Sequence, residues 1–261
     1  MSSEDLNIVT QMLAGILNPN NTVRKEAEAK LQMMQENMGA LLFCLGKVLK
    51  GKFYLKKDVN DINIKSLAAV LLRKLLDLEG NVWKDKLNDQ MRETLKADLL
   101  SVMINEKEKY VKFKICDAVS RLAENIYENE QKWNELLNYI YTVINSPYND
   151  ADLLNIEVAL QLLTTMFGYV CDEVMKGIPA LLGSFKNYFK TTNTDLRAKT
   201  VQTLSEIISI CDKKDVKIFK DFVIYILETT MLCIDNIKEE NNVILLFTLV
   251  KTMPFFYLRH L

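Results

Sequence analysis

The sequence predicts an all-α fold of stacked antiparallel helix pairs, on three observations. Apolar residues recur at helical spacing along nearly the whole chain. Turn formers are scarce, with 8 Gly and 4 Pro in 261 residues, whereas ordinary usage is about 7% Gly and 5% Pro. The breaks between helical stretches come in pairs, and the second helix of each pair opens in a related way. Val23-Arg24, Ile64-Lys65, Val111-Lys112, Leu154-Asn155, Leu196-Arg197 and Val243-Ile244 are spaced by 41, 47, 43, 42 and 47 residues. A period of about 40 to 47 residues with two helices per unit marks a HEAT or armadillo array. The expected architecture is a HEAT-repeat, right-handed superhelical solenoid of about six helix pairs, one array over 1–261. A non-repetitive helical bundle is the alternative.

The elements follow in order. Residues 6–17 form a first helix, closed by Asn18-Pro19-Asn20-Asn21, and Asn21 is expected to cap a second over 22–37. Residues 39–50 and 62–78 make the next pair, around a Lys-rich loop over 51–60. A connection containing Trp83 leads to 89–105 and 109–127. Residues 133–145 stop at Ser146-Pro147 and are followed by 150–170; then come 172–190, bent at Gly177 and Pro179, and 195–210. Residues 215–235 and 239–253 complete a sixth pair.

The segment 61–78 carries the most information. On a helix, Ile64, Leu67, Ala68, Leu71, Leu75 and Leu78 fill one stripe, Ala69, Val70, Leu72 and Leu76 its flanks, and Ser66, Arg73 and Asp77 the opposite ridge. A helix apolar on three sides is packed between neighbours and shows solvent one charged edge. Similar ridges are Asp117, Arg121, Glu124 and Glu128, opposite Ile115, Val119, Leu122 and Ile126, and Lys199, Gln202, Glu206 and Ser209. Each is an ordinary solvated face if taken alone. Repeated along one surface, mixed charge suits a protein partner.

Composition excludes several functions. Hydrophobic residues at 49% support a sizeable core, and 33 Lys+Arg against 34 Asp+Glu leave no field to attract nucleic acid. Cys44, Cys116, Cys171, Cys211 and Cys233 are widely spaced without a C-x-x-C pair, and read as reduced thiols in or near the core. The single histidine, His260, leaves no zinc set and no Ser-His or Cys-His pair. No phosphate-cradling glycine loop is present, so neither an enzyme nor a cofactor is expected. Glu106, Glu108 and Glu239-Glu240 lie at helix starts, where they favour the dipole and stay solvated. Lys47, Lys50, Lys52, Lys56 and Lys57 read as a solvated loop cluster, and Trp83 and Trp133 as packing between repeats. The N-terminus shows no secretory leader, and the longest apolar run, 243–250, is short of a membrane span, so no membrane insertion is expected.

VRKEAEAKL (23–31), IKSLAAVLLRKLL (64–76) and Trp83 resemble the importin-beta N-terminal domain. LAAVLLRKLL (67–76), KICDAVSRLAENI (114–126) and TMPFFYLRHL (252–261) resemble the karyopherin beta-3 branch, the Ran-binding importins. The resemblance implies importin-beta N-terminal-like repeats over 1–87, HEAT repeats over 88–261, and an N-terminal segment of a longer nuclear transport receptor. It further implies that inner helices grip the small GTPase Ran in its GTP form and that cargo binds mostly at later repeats. Phenylalanine-glycine nucleoporins would dock between outer helices, repeats five and six included. The receptor would shuttle between cytoplasm and nucleus. Many relatives carry Lys-Asn where this chain has Arg73-Lys74. On that resemblance Lys65, Arg73 and Lys74 are the first Ran-binding candidates, and Asp117, Arg121 and Glu124 the second. The competing expectation is a HEAT scaffold of phosphatase or vesicle-coat type with no nucleotide-dependent partner.

Overall fold

The computed structural model describes residues 3–51, 61–78, 82–212 and 215–234. The expected helix over 239–253, the lysines Lys52, Lys56 and Lys57, the run 243–250, His260 and the segment 252–261 lie outside the described residues. Among the described residues every regular element is helical, and the chain divides into two compact units, Met1–Trp133 and Asn134–Leu261.

The first unit holds α1 (Ser3–Ile16), α2 (Asn21–Met34), α3 (Met38–Lys50), α4 (Asp61–Leu76), α5 (Val82–Lys86), α6 (Asp89–Asn105) and α7 (Lys109–Glu128). A 3-10 turn, Gln35–Asn37, joins α2 to α3. Helix α3 packs on α1 and α6, and α4 packs on α3 and α7. First helices of pairs thus form one layer, while α4 and α7 lie side by side in the other. The core is built from their apolar stripes, with Leu13, Leu42, Leu72, Leu99, Ile115 and Leu122 all buried. Asparagines cap α2, α3 and α6, whereas α7 opens at Glu108 without a side-chain cap. Asn20 accepts from the Thr22 and Val23 N–H groups, Asn37 from Ala40 and Asn88 from Met91. The α2 cap is therefore Asn20, one residue before the expected Asn21.

The expected connection around Trp83 contains a short helix. Trp83 is buried, its indole Nε1 donates to Gln131 Oε1 at 2.8 Å, and Arg92 donates to the Trp83 and Lys84 carbonyls at 2.9 and 2.7 Å. Gly39 permits α3 to approach this helix, since a Cβ there would stand 2.0 Å from the Lys86 carbonyl oxygen. Two expectations of solvated charge are corrected. Lys47 and Lys50 both reach the buried Asp98 carboxylate, at 2.6 and 2.5 Å. Glu106 accepts from the Lys107 and Glu108 N–H groups at 3.0 and 3.1 Å and pairs with Lys65, so its side chain is mostly buried. Burial raises the affinity of both carboxyls for protons. Hydrogen bonds and nearby lysines outweigh it and hold each below its usual range. Lys112, 1% exposed, donates to the Ile104 and Glu106 carbonyls at 3.0 and 3.1 Å, satisfying the otherwise orphaned end of α6.

The second unit holds α8 (Asn134–Asn145), α9 (Leu153–Lys176), α10 (Ile178–Phe189), α11 (Thr194–Ile210) and α12 (Val223–Ile234), the last preceded by a 3-10 stretch, Val216–Phe222. Helix α9 packs on α8 and α11, and α11 also packs on α10 and α12. The expected boundary at 170–172 is corrected to Gly177. Val170 leaves helical geometry at φ −121° and ψ 16°, but the chain bends there and continues for six more helical residues. Gly177 ends α9, and Pro179 opens α10, where its missing N–H costs nothing. Tyr188 is buried and its hydroxyl donates to the Ile144 carbonyl at 2.7 Å. By length and composition Asp150–Lys176 is apolar enough to cross a membrane, although interspersed polar residues break it into short apolar runs. Its packing on α8 and α11, and the buried Glu157 within it, fit a core helix instead. Trp133 is buried as expected, as are Cys44, Cys116 and Cys211, while Cys171 is half-buried.

Candidate functional site

Second helices of successive pairs start at residues 21, 61, 109, 153 and 194, in steps of 40, 48, 44 and 41. In the first unit this repetition sets α4 beside α7 in the same direction, so their charged edges form one surface. The expected ridges are largely where the periodicity places them. On α7, Ile115, Val119, Leu122 and Ile126 are buried while Asp117, Arg121 and Glu124 are half-exposed and Glu128 is exposed. Arg73 on α4 and Asp77 just past its end are exposed, but Ser66 is buried at 8% and leaves the ridge. Leu78, expected in the buried stripe, is exposed just beyond the helix end.

Five side chains make a row of alternating sign. Arg73 Nη1 lies 4.0 Å from Asp117 Oδ2, and Arg73 Nε lies 3.8 Å from Asp77 Oδ2. Arg121 Nε lies 2.5 Å from Asp77 Oδ1, as a charge contact outside hydrogen-bond alignment, and Arg121 Nη1 donates to Glu124 Oε2 at 2.7 Å. The hydrogen bond donated to Glu124, with the charges of Asp77 and Glu128, outweighs burial and strengthens the guanidinium's hold on its proton. Four of the six candidate residues, Arg73, Asp117, Arg121 and Glu124, are thus brought together. Lys74 is exposed on the last turn of α4 and takes part in no ion pair among the described residues. Lys65 stands apart, with Nζ 3.0 Å from Glu106 Oε2 at the end of α6.

Asp77 and Asn125 are the residues that the candidate set omits. Asp77 bridges the two arginines, and the buried Asn125 donates from Nδ2 to the Leu76 carbonyl at 3.3 Å and to the Arg121 carbonyl at 3.1 Å. A signal for Asp77 exists in the sequence. Arg73 precedes Asp117 by 44 residues and Asp77 precedes Arg121 by the same 44, about one helical turn short of the 48-residue step between the starts of α4 and α7, so one common offset sets opposite charges side by side.

Half-exposed ion pairs contribute about 0 to 1 kcal/mol each, so this row does little for stability. Charge held in fixed alternation on a surface instead sets which partner fits. Elsewhere in the unit, a mostly apolar pocket of about 180 Å³ lined by Ile8, Met34, Ala40 and Leu41 also holds Asp5 and Cys44, whose thiol is pushed up by burial and by the Asp5 charge. Among the described residues no group of three or more His, Cys, Asp or Glu is placed to hold a metal.

Stacked helix pairs of this kind define an all-helical repeat protein. Residues 107–261, more than half of the chain, match the family described as IPO5-like, TPR repeats. The chain belongs to that family, in the importin-beta (karyopherin) group that its motifs resemble. Its steps of 40 to 48 residues are those of HEAT units, longer than the 34 of a tetratricopeptide repeat. Exportin-2 from Pagrus major is 27% identical over 149 residues, which cover 56% of this chain and 14% of that protein. The chain therefore spans about one seventh of the length of the curated relatives it matches. Among solved structures, Kap121p superposes with a TM-score of 0.74 at 17% identity, over 96% of this chain and 22% of that one. Kap121p bound to RanGTP superposes at 0.70 with 18% identity, over 96% and 22%. Others hold Kap121p with Nup53p or with Ste12p. At these identities the likeness is one of fold.

Proposed function

We propose that this chain is part of a nuclear transport receptor, and that its α4–α7 surface receives Ran in the GTP form. The observation that carries the reading is the alternating row Asp117–Arg73–Asp77–Arg121–Glu124, with exposed Lys74 at its edge. Family membership and the existence of a Kap121p–RanGTP complex support it. Arg73 and Lys74 would meet acidic groups of the GTPase, and Asp117 and Glu124 basic ones. Lys65, tied to Glu106, would act by fixing the α4–α7 register rather than by contact. The regular repeat spacing supports one array running through both units, with repeats 1–2 over 1–87 and later repeats over 88–261.

In this reading cargo and phenylalanine-glycine nucleoporins are further partners, and the receptor shuttles between cytoplasm and nucleus. Ran-GTP and cargo would each weaken the other by the same factor, because both bias one set of repeat interfaces. The test is capture of the chain by Ran loaded with GTP and, separately, with GDP. Retention by the GTP form alone supports the proposal. Equal retention, or none, overturns it in favour of a scaffold without a nucleotide-sensitive partner.

A further inference from the structure

We propose that Cys171, Met175 and Cys211 form a three-sulfur site in the second unit that takes a soft monovalent metal ion, Cu(I). Cys171 and Met175 stand one turn apart on α9, so their side chains share a face. The bend at Val170 immediately precedes them. Cys211 ends α11, and its Sγ lies 3.5 Å from Met175 Sδ. Cys171 shares the Met175 face of α9 and lies near enough to Cys211 for the two thiols to act on each other, so three sulfurs gather from two helices.

The geometry suits a trigonal site. Metal–sulfur bonds of about 2.3 Å place ligand sulfurs about 4 Å apart, and the Cys211–Met175 separation lies about 0.5 Å inside that edge. Two thiolates and a thioether select Cu(I) over harder ions. Zinc would want a fourth ligand from nitrogen, oxygen or thiolate, and among the described residues none completes such a set. Cys171 and Met175 are half-exposed, which gives the ion a way in, while Cys211 is buried behind them. Without metal both thiols are held protonated, by burial first and then by neighbours that include Asp212 and Asp215. Ligation therefore balances as Cu(I) entering and two protons leaving, with two new Cu–thiolate bonds, one Cu–thioether bond and no change of oxidation state.

The full reduced chain, titrated anaerobically with Cu(I) in competition with a chromophoric chelator, is expected to hold one ion with a thiolate-to-copper ultraviolet band. C171S and C211S should each weaken retention at least tenfold, M175L several-fold, and C116S not at all. In the wild-type chain, Cu(I) should also shield Cys171 from alkylation, read by peptide mass, which does not depend on any variant folding. Failure to compete for Cu(I), or unchanged retention in C171S and C211S, overturns the site. So does loss of two mass units as a Cys171–Cys211 disulfide with no copper kept. Unchanged affinity in M175L removes the thioether from it.

Discussion

Arg121 of α7 sets its Nε 2.5 Å from Asp77 Oδ1, just beyond the end of α4, and so joins two helices whose charged edges would otherwise run past each other. Both side chains are partly exposed, at 29% and 42%. A D77A/R121A double-mutant cycle should therefore give a coupling of about 0.5 to 1 kcal/mol in urea unfolding. It should fall toward zero at about 1 M salt, where the screening length is about 3 Å. A coupling that ignores salt would show the pair to be effectively buried.

Binding separates from this local coupling. R73E combined with K74E should lower Ran-GTP affinity at least tenfold, by surface plasmon resonance or pull-down, with helicity and melting unchanged. K65A should leave the GTPase interface intact and act through stability, since its partner is Glu106. A fold and an affinity that fall together in R73E/K74E would make those residues structural.

Asp98 gives the pH dependence. Its carboxyl is buried, yet Lys47 and Lys50 hold it below the ordinary 3.8. The folded state therefore binds its proton less readily than the unfolded chain. The stability it contributes is present above about pH 4 and is lost as pH falls through the folded value. D98N should lower unfolding free energy by about 1 to 3 kcal/mol at pH 7 and flatten the acid limb of the stability curve below pH 4. Chemical denaturation across that range checks both.

Two glycines should respond oppositely to the same methyl group. G39A drives a Cβ toward the Lys86 carbonyl, a backbone atom that cannot rotate away, so a loss of more than about 2 kcal/mol is expected. G183A, exposed within α10 with nothing within 4 Å, should gain about 0.5 to 1 kcal/mol. Thermal melts of the two variants measure the contrast.

Helix positions were legible because each helix must bury a stripe and the 3.6-residue period survives in composition. The expected 89–105 coincides with α6, Asp89–Asn105. Periodicity could not distinguish a bend from an end, so Val170 read as a boundary and Gly177 as a bend. The charged row was half legible. Ridge membership follows from spacing within one helix, and it identified Arg73, Asp117, Arg121 and Glu124. The pairing of Lys65 with Glu106 was not legible, because the two lie 41 residues apart and no local pattern marks the contact. Ser66 is small enough to be packed over, so its polarity said little about its side of the helix. Trp83 was expected to pack, but the Gln131 amide that receives its N–H depends on tertiary proximity alone.

The alternating row already satisfies its own charges. An incoming partner would trade one set of neighbours for another instead of expelling a cloud of counterions, so the exchange is close to isoelectric. What decides the fit is then the spacing of the teeth along two parallel rods, and a rival of equal net charge but different pitch would be refused.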